Sequence, residues 1–473
     1  MKNTEQADRG NTARYYLPEE GISLEKWKQG RPCATAAGKR NPLPLDPDEM
    51  ALLEQCDGMT PIEPSLLTDR LEAMRIIRRC GRGTAPATPI RIIEHPNYYV
   101  RQIDWAVTDR CNYNCRHCFH AVDNTTHRNE FSLEEAMRFL DEVRECGIRA
   151  LRLTGGEPTL HPRFREIVTG MRERGLFLNT LVTNGSRITP EFLAFLKERH
   201  PEVIILLSFD GIGWHDWMRQ HPGSEEKTLE AIRLSREAGL KVYINANVHR
   251  KNADGMFATV EKLVSLGADR IRIIRTSESP RWELNKENDT LLPEEYYDFS
   301  MRFARQYRDS GLRVPVTIWQ SLYLNGERKT FSILPVKAPA ACFTGKERIC
   351  SAMMIKPSVQ ANGDVVPCSP MAGLFEFLGV HLGNVHERSL KDLLTEGAFA
   401  QMITATAGEK MEKNPECAAC RYFKECQGGC PALSFVSGGS VFSSDRYKCA
   451  FFRNGYAEKY RRLMEEWKEI EKR

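Results

Sequence analysis

Short apolar runs alternate with amphipathic segments through the middle of the chain. The apolar runs predict β-strands at 102–107, 150–153, 178–183, 203–209, 241–248 and 270–274. Two of the segments between them open with helix-start signals, the capping box Ser132-Leu-Glu-Glu135 and the pair Thr189-Pro190. Six such alternations predict an α/β fold with a parallel sheet and helices outside it. Ligands of parallel barrels bind at the C-terminal strand ends, so the residues that follow each strand are the first candidates for chemistry.

Residues 1–98, which precede the first predicted strand, predict a small helical region. A first helix is expected between Asp46, an N-cap residue followed by proline, and Gly58, which ends it. A second helix is expected over residues 66–80, where apolar side chains recur near helical spacing. One role for this pair of helices is a structural cap on the barrel.

The C-terminal third of the chain predicts shorter elements. A helix is expected over residues 293–309, and Asn362-Gly363-Asp364 predicts a tight turn between strands at 354–359 and 365–366. Residues 454–473 predict a charged helix with Tyr460, Leu463 and Trp467 on one face. We expect this last helix to pack against the rest of the fold.

The composition, with 41% hydrophobic and 27% charged residues, is typical of a globular protein, and a length of 473 residues predicts two or three domains. The net charge of +4 is small for this length and argues against nucleic acid or a membrane surface as the main partner. No run of 18 apolar residues occurs, and no apolar segment opens the chain. We therefore expect neither a membrane span nor a signal peptide.

Fifteen cysteines in such a chain point to the reducing cytoplasm, where grouped cysteines are more often metal ligands than disulfides. Eleven of the 15 fall into two groups, one near residue 115 and one between residues 342 and 449. The other four are isolated and are expected to be structural thiols. They are Cys33, Cys56, Cys80 and Cys146.

The first group is Cys111, Cys115 and Cys118, at C-x3-C-x2-C spacing directly after the first predicted strand. Soft thiolates select iron–sulfur clusters or zinc, and three thiolates on a [4Fe–4S] cluster leave one iron open. The pattern resembles the radical S-adenosylmethionine (radical SAM) superfamily, in which that iron binds the amino and carboxylate groups of SAM. His117 stands where this family usually has an aromatic hydrophobic residue. A zinc knuckle or a set of unligated buried thiols is the alternative.

Gly155-Gly156-Glu157-Pro158 follows the second predicted strand. Adjacent glycines allow a ligand to approach the backbone closely, and Glu157 offers a carboxylate to an ammonium group. The sequence resembles the GGEP motif of the radical SAM family, which receives the SAM amino group. With the cysteine loop, it implies a partial six-stranded (β/α)6 TIM-like barrel over residues 99–310.

Three later strand ends carry polar residues that the resemblance assigns to SAM. Asn184 follows the third strand, where a turn with positive φ is the alternative explanation. Ser208 ends the fourth strand and is similar to the serine that contacts the ribose. Arg219 resembles the arginine that pairs with the SAM carboxylate, for which a guanidinium fork is suited, although an ordinary surface arginine is the alternative. Asn245 and Asn247 on the fifth strand are further candidates for this site.

The second cysteine group resembles the SPASM domain, which carries two auxiliary [4Fe–4S] clusters, and it implies a bridge and such a domain over residues 311–451. A C-terminal helix, 452–473, would follow. By the family pattern, the first auxiliary cluster is held by Cys342, Cys350, Cys368 and Cys430, and the second by Cys417, Cys420, Cys426 and Cys449. Some relatives leave one iron of the first cluster without a cysteine ligand, so the pattern does not decide whether Cys342 is a ligand. Two structural zinc sites would suit the same thiolates.

The resemblance implies an enzyme that cleaves SAM reductively to methionine and a 5′-deoxyadenosyl radical, which abstracts a substrate hydrogen. SPASM domains accompany peptide or protein modification, so the implied product is a modified, cross-linked ribosomal peptide. The two predicted N-terminal helices resemble winged-helix elements that recognise peptides. The implied partners are a peptide or protein substrate and a flavodoxin- or ferredoxin-like electron donor.

Three other functions stay open. A sulfatase-maturing oxidase is one, but that branch has an aspartate after the cysteine that matches Cys368, and Ser369 stands here. A cofactor-biosynthesis enzyme, such as a haem side-chain modifier, is the second. The third is a non-catalytic iron–sulfur electron carrier, which would not need the motif at Gly155–Pro158. The sequence identifies no catalytic residue beyond the cofactor site.

Overall fold

The structure, a computed structural model, describes residues 13–29, 31–36, 42–86, 91–120, 129–276 and 279–471. The start of the chain, where no signal peptide is expected, lies outside these ranges. Two compact units divide the chain, Met1–Tyr99 and Val100–Arg473. Each is described by itself.

The first unit is an α+β structure and not the mainly helical region that the sequence predicts. Strands β1 and β5 form an antiparallel pair, and the other four strands form a sheet in the order β4-β3-β2-β6. The strands are β1 (Tyr15–Pro18), β2 (Ile22–Trp27), β3 (Cys33–Ala36), β4 (Leu43–Pro44), β5 (Ile77–Cys80) and β6 (Arg91–His95), and the helices are α1 (Pro47–Gln55) and α2 (Leu66–Ala73). A hydrophobic core of its own includes Tyr16, Leu24 and Leu71.

The expected second helix over residues 66–80 is too long, because α2 ends at Ala73. Arg75 takes a left-handed backbone conformation with φ 55°, which breaks the helical path. The β-branched pair Ile76-Ile77 then enters β5, where Ile77 pairs with Pro18 of β1. Periodicity alone could not locate this break, since Ile77 lies near helical spacing and also suits a strand.

Six parallel strands form the centre of the second unit, at nearly the predicted positions. They are β7 (Gln102–Ala106), β8 (Ala150–Thr154), β9 (Phe177–Thr183), β10 (Ile204–Ser208), β11 (Lys241–Val248) and β12 (Arg270–Arg275). The helices after them are α3 (Leu133–Glu145), α4 (Phe164–Glu173), α5 (Pro190–Arg199), α6 (His215–Arg219), α7 (Ser224–Glu237), α8 (Met256–Ser265), α9 (Pro280–Asn285) and α10 (Pro293–Ser310). In the sheet these strands lie in sequence order, and each pairs in parallel with the next, as in a partial (β/α) barrel.

The sheet continues beyond the six strands at both edges, to 11 strands in all. At one edge, β13 (Val316–Ile318) runs parallel to β12 and leads into the antiparallel strands β14 (Leu322–Asn325) and β15 (Thr330–Ile333). At the other edge, β16 (Ser358–Val359) pairs in parallel with β7 and forms a hairpin with β17 (Val365–Val366). This hairpin attaches the C-terminal cysteine region to the first barrel strand.

The predicted strand over residues 354–359 is wrong in its first half. Ser351–Ile355 forms the short helix α11, and only Ser358 and Val359 join the sheet. Pro357 separates the two because a residue before proline disfavours helical backbone and proline donates no hydrogen bond. The helix is closed by a hydrogen bond from Lys356 N to Ala352 O.

Short helices complete the second unit. They are α12 (Ala372–Leu378), α13 (Leu390–Leu393), α14 (Gly397–Ile403), α15 (Ala407–Lys413), α16 (Pro415–Ala418), α17 (Phe423–Cys426), α18 (Pro431–Gly438), α19 (Arg446–Arg453) and α20 (Tyr456–Glu471). The apolar face of α20 is buried as predicted, with Tyr460, Leu463 and Trp467 in the main core. Tyr460 also hydrogen-bonds to Ser321 Oγ at 2.7 Å. In the described part of the chain, no helix combines the length and apolar composition needed to cross a membrane.

Candidate cofactor and substrate site

A cavity of about 460 Å³ lies at the C-terminal strand ends of the barrel. Each of the six parallel strands contributes at least one residue to its lining, and so does the C-terminal region. Six of the 11 grouped cysteines line it, namely Cys111, Cys115, Cys118, Cys350, Cys368 and Cys430. The fold therefore brings residues from both sequence-predicted cysteine groups to one chamber.

The first cysteine loop is anchored to α6. Arg116 N donates to Met218 O at 2.8 Å, and the Arg116 guanidinium lies 4.5 Å from the centre of the Trp217 ring. The three loop thiols are half-buried, and burial raises the pKa of Cys111 above its ordinary value. A neutral thiol must lose its proton to become a metal ligand, so binding of a cluster here would release protons.

The two motif glycines are explained by contact with this loop. Gly155 has φ 146°, and an added Cβ would lie 2.3 Å from Thr108 O. At Gly156 an added Cβ would lie 2.3 Å from Arg110 O. Backbone hydrogen bonds join Gly156 N to Thr108 O at 2.8 Å and Glu157 N to Arg110 O at 2.6 Å. These glycines thus allow the backbone of the cysteine loop to pack directly against the motif.

Glu157 is buried and its carboxylate faces the end of β9. One oxygen accepts hydrogen bonds from the Thr159 and Thr183 hydroxyls, at 2.7 and 2.8 Å, and the other accepts one from Asn184 N at 2.7 Å. Burial raises the pKa of Glu157, although these donors act in the opposite direction. Asn184 in turn donates to Asn112 Oδ1 at 2.9 Å, which ties the third strand end to the cysteine loop.

Arg219 is a buried residue and not a surface arginine. Its Nε donates to Asp210 Oδ2 at 2.7 Å, and its Nη1 lies 3.6 Å from Cys115 Sγ. Burial alone would raise the pKa of Asp210, but the neighbouring Arg219 charge holds it well below its usual range. Asp210 also accepts a hydrogen bond from Asn247 N at 3.1 Å. The guanidinium is therefore fixed beside the cysteine loop by an ionised carboxylate.

Sequence reasoning did not identify Asp210, His215 or Thr228 as parts of this arrangement. His215 accepts the Asp210 main-chain N–H at Nδ1, 3.0 Å away, and its Nε2 meets the Thr228 hydroxyl at 3.2 Å. The available signal for Asp210 was the Asp210-Gly211 pair, because such a pair is typical of a turn at the end of a strand. The remaining candidates Ser208, Asn245 and Asn247 all line the cavity.

His117 lines the same cavity with a half-buried imidazole. Burial lowers its pKa to about 3, so the ring is neutral at pH 7. In the described part of the chain, its Nδ1 has no hydrogen-bond partner. A neutral ring here fills space as the usual aromatic residue would, and its Nδ1 is buried.

The C-terminal cysteines form two neighbouring sets. Cys368 lies close to Cys430 and Cys350, and burial raises the pKa of Cys430 to about 11. Cys342 belongs to this set by family pattern, but its side chain is exposed, in a turn at Ala340–Cys342. Its neighbour Phe343 packs edge-on against Phe423, 5.8 Å away, beside the other set.

Three cysteines of the second set lie near a buried lysine, Lys410. Cys449 lies close to Cys426 and Cys417, and burial raises its pKa to about 12. Lys410 is 1% exposed and interacts electrostatically with Cys417, Cys426 and Cys449. Its Nζ donates hydrogen bonds to Gly428 O and, at 2.9 Å, to Ser434 Oγ. Within the described ranges, no three His, Cys, Asp or Glu side chains are gathered closely enough to hold a single metal ion. Thiolates are the usual ligands of iron–sulfur clusters, so the chemistry of the donor set fits a cluster.

The four isolated cysteines lie apart from these sets. Cys33, Cys56 and Cys146 are buried and Cys80 is half-buried. Burial raises the pKa of Cys56 and of Cys146 to about 12. Such thiols are unreactive at neutral pH.

Four charged residues on the barrel interior were also missed. These residues are Asp104 on β7, Arg152 on β8, Arg272 on β12 and Lys356, which precedes β16. All four line the cavity. The available signal was their polarity, because strands of a parallel sheet buried on both faces usually read as continuous apolar runs.

Comparison with known proteins supports the arrangement. A profile of the Radical SAM superfamily matches residues 105–264, and one of SPASM, an iron–sulfur cluster-binding domain, matches residues 350–421. The AdoMet-dependent heme synthase of Methanosarcina barkeri is 26% identical over 350 residues, which cover 73% of this chain and 95% of that protein. The PqqA peptide cyclase of Granulibacter bethesdensis is 26% identical over 345 residues, covering 72% and 84%.

Solved structures show the same fold. Streptococcus suis SuiB bound to the precursor peptide SuiA superposes with a TM-score of 0.62 at 16% identity, covering 92% of this chain and 99% of that one. Native anSMEcpe with bound AdoMet gives a TM-score of 0.57 at 18% identity, covering 78% and 99%. These domains imply iron–sulfur clusters and SAM as cofactors, and the thiol sets fit that chemistry. The chain is therefore a radical SAM enzyme, with a partial (β/α) barrel followed by a SPASM domain.

Proposed function

We propose that the protein modifies a peptide or protein substrate. The observation that carries this proposal is the extent of the likeness to SuiB. The second unit, Val100–Arg473, holds 374 of the 473 residues, or 79%. The match to SuiB covers 92% of the chain and so extends into the first unit, whereas the match to anSMEcpe covers only 78%. At least part of the first unit is thus matched in a protein that was solved with its precursor peptide, which supports a role in peptide recognition.

The cofactor assignment is part of the proposal. Cys111, Cys115 and Cys118 would hold the SAM-binding cluster, and the two C-terminal sets would hold auxiliary clusters as the family pattern implies, with Cys342 completing the first. When bound, the clusters and SAM supply the 5′-deoxyadenosyl radical that removes a substrate hydrogen. The auxiliary clusters would accept or conduct an electron, and the electron donor would be flavodoxin- or ferredoxin-like.

The protein's own residues would bind and orient SAM. Arg219 would pair with the SAM carboxylate, because Asp210 fixes its guanidinium beside Cys115. Gly155 and Gly156 would let the cysteine loop pack directly against the GGEP segment. Glu157 of that segment would face the SAM amino group. Ser208 would contact the ribose. The enclosing barrel would exclude water from the reacting centre.

The test is incubation of the anaerobically reconstituted enzyme with SAM, dithionite and the peptides encoded beside its gene. Mass spectrometry should show a peptide changed in mass together with 5′-deoxyadenosine in the same sample. Cys115→Ala protein serves as the control that cannot cleave SAM. If the wild-type protein forms 5′-deoxyadenosine but alters none of these peptides, the peptide-modifying function is wrong.

A second candidate function is modification of a haem precursor. The observation in its favour is the 26% identity to the heme synthase of Methanosarcina barkeri, which covers 95% of that protein. That match spans 73% of this chain, less than the 79% held by the second unit, so it does not require the first unit. The same assay with iron-coproporphyrin III in place of peptides would identify this function. In either case we place the enzyme in the cytoplasm, where its thiols stay reduced.

A further inference from the structure

The barrel interior carries a cluster of charges that the SAM site does not use. Asp104, Arg152, Arg272 and Lys356 all line the cavity. Asp104 and Arg152 are directly opposite each other in the register of β7 and β8. Arg152 lies two residues before Thr154, the last residue of β8, and this spacing corresponds to about 7 Å along a strand. The cluster therefore lies just inside the proposed SAM site.

The single carboxylate of this cluster already has several partners. Asp104 Oδ2 lies 3.2 Å from Arg152 Nη2, 3.7 Å from Lys356 Nζ and 3.3 Å from Ser369 Oγ. Its Oδ1 accepts a hydrogen bond from Gln102 Nε2 at 3.0 Å. Asp104 is 2% exposed, so it has little room for further donors.

The cations, in contrast, keep unused capacity. In the described ranges, Arg152 Nε is buried without a hydrogen-bond partner, and no carboxylate lies within ion-pair distance of Arg272. The Arg272 guanidinium is 5.7 Å from the centre of the Trp319 ring, another lining residue. Three cations thus face one carboxylate, a formal excess of two positive charges at the wall of the cavity. A buried donor without a partner is costly, so such a site favours an anion with several acceptor oxygens.

The pKa values express the same imbalance. Burial, followed by repulsion from Arg152, lowers the pKa of Arg272 to about 10 and that of Lys356 to about 8. A second carboxylate in this position would relieve the repulsion.

We propose that Arg152, Arg272 and Lys356 form a subsite for a substrate carboxylate, which positions the adjacent carbon toward the SAM site. This inference rests on the proposed function, because it names the substrate chemistry of the same chamber. The carboxylate can come from an acidic side chain of a peptide or from a porphyrin propionate. Both present the planar pair of oxygens that a guanidinium binds in a bidentate manner.

The cations have one competing explanation. Cys368 lies close enough to affect Lys356, and Cys430 close enough to affect Arg272, so the positive charges could serve to balance an auxiliary cluster. In that case their removal would change cluster content and not substrate preference. The experiment must therefore measure both.

The test uses the reconstituted full-length enzyme with SAM and measures binding by calorimetry. The probes are a nonapeptide with one glutamate and its glutamine twin, and coproporphyrin III and its tetramethyl ester. At least one acid should bind about tenfold more tightly than its neutral twin. Arg272→Gln and Lys356→Gln should each abolish most of that preference. Arg270→Gln is the matched control, because Arg270 lies on the same strand but is exposed and outside the cavity lining.

Each outcome decides the matter. A preference for the glutamate peptide that both variants remove supports the subsite and the peptide function together. A preference for the porphyrin acid alone, removed by the same variants, supports the subsite and contradicts the peptide function. The subsite is wrong if neither pair shows a preference, or if the variants keep the wild-type preference. Loss of iron from these variants, with or without a change in preference, contradicts the subsite and assigns the cations to the auxiliary cluster instead; the supporting outcomes above therefore require wild-type iron content.

Discussion

The contact between the glycine motif and the cysteine loop makes Gly156→Ala an informative change. The new Cβ would lie 2.3 Å from Arg110 O and 2.5 Å from Asp109 O, and Cβ contacts below 3.0 Å essentially never occur. Both neighbours are backbone atoms, so no side chain can move aside. The loop and the motif must part by roughly 1 Å, which is the response expected of an overpacked site.

The magnitude follows from two losses. Overpacking of a tight contact costs about 1–3 kcal/mol. Separation also weakens the hydrogen bonds from Gly156 N and Glu157 N to the loop carbonyls, each worth about 1 kcal/mol. A total of about 3 kcal/mol corresponds to roughly a 100-fold decrease in the ratio of seated to unseated loops. We expect the effect on the SAM-binding cluster, whose loop the motif contacts, and not on the auxiliary clusters.

The assay combines iron content, SAM affinity and dithionite-driven formation of 5′-deoxyadenosine. Gly255→Ala is the matched control, because Gly255 also has negative φ and its nearest neighbour to an added Cβ is 3.9 Å away. The control should behave as wild type, whereas Gly156→Ala should lose SAM cleavage by a factor of up to about 100. Wild-type SAM affinity and cleavage in Gly156→Ala would refute the view that this contact seats the loop.

Three further predictions follow from the cysteine sets and the first unit. Cys115→Ala should reduce bound iron from about twelve to about eight per chain and abolish SAM cleavage, as measured by iron analysis and chromatography; retained 5′-deoxyadenosine would remove Cys115 from the cluster assignment. Deletion of residues 1–99 should weaken peptide binding without changing peptide-free SAM cleavage, whereas aggregation or lost iron would indicate a structural cap. Lys410→Met should lower the reduction potential of the second auxiliary cluster, because the reduced cluster carries one more negative charge and would lack its buried cation; an unchanged potential in an EPR-monitored titration would contradict this.

Local sequence patterns sufficed for the barrel strands and for several helix starts. Strand β11 lies where it was predicted, at Lys241–Val248, because apolar periodicity is a local property. The Ser132 capping box is present, with Glu135 N donating to Ser132 Oγ at 3.2 Å. The cysteine spacing likewise indicated the chemistry of the chamber, since thiolates close in sequence must lie close in space.

Long-range pairing decided the rest. Sequence placed Asp104 in a strand, but only the register of β7 with β8 and β16 puts it beside Arg152 and Lys356. Lys356 is separated from Asp104 by 252 positions along the chain, and no local pattern reports a contact over that distance. In the same way, the glycine pair suggested close approach without specifying what approaches, and the structure identifies the loop backbone near Arg110. Periodicity determines which face of an element is buried, whereas the partner on that face is set by how the elements pack together.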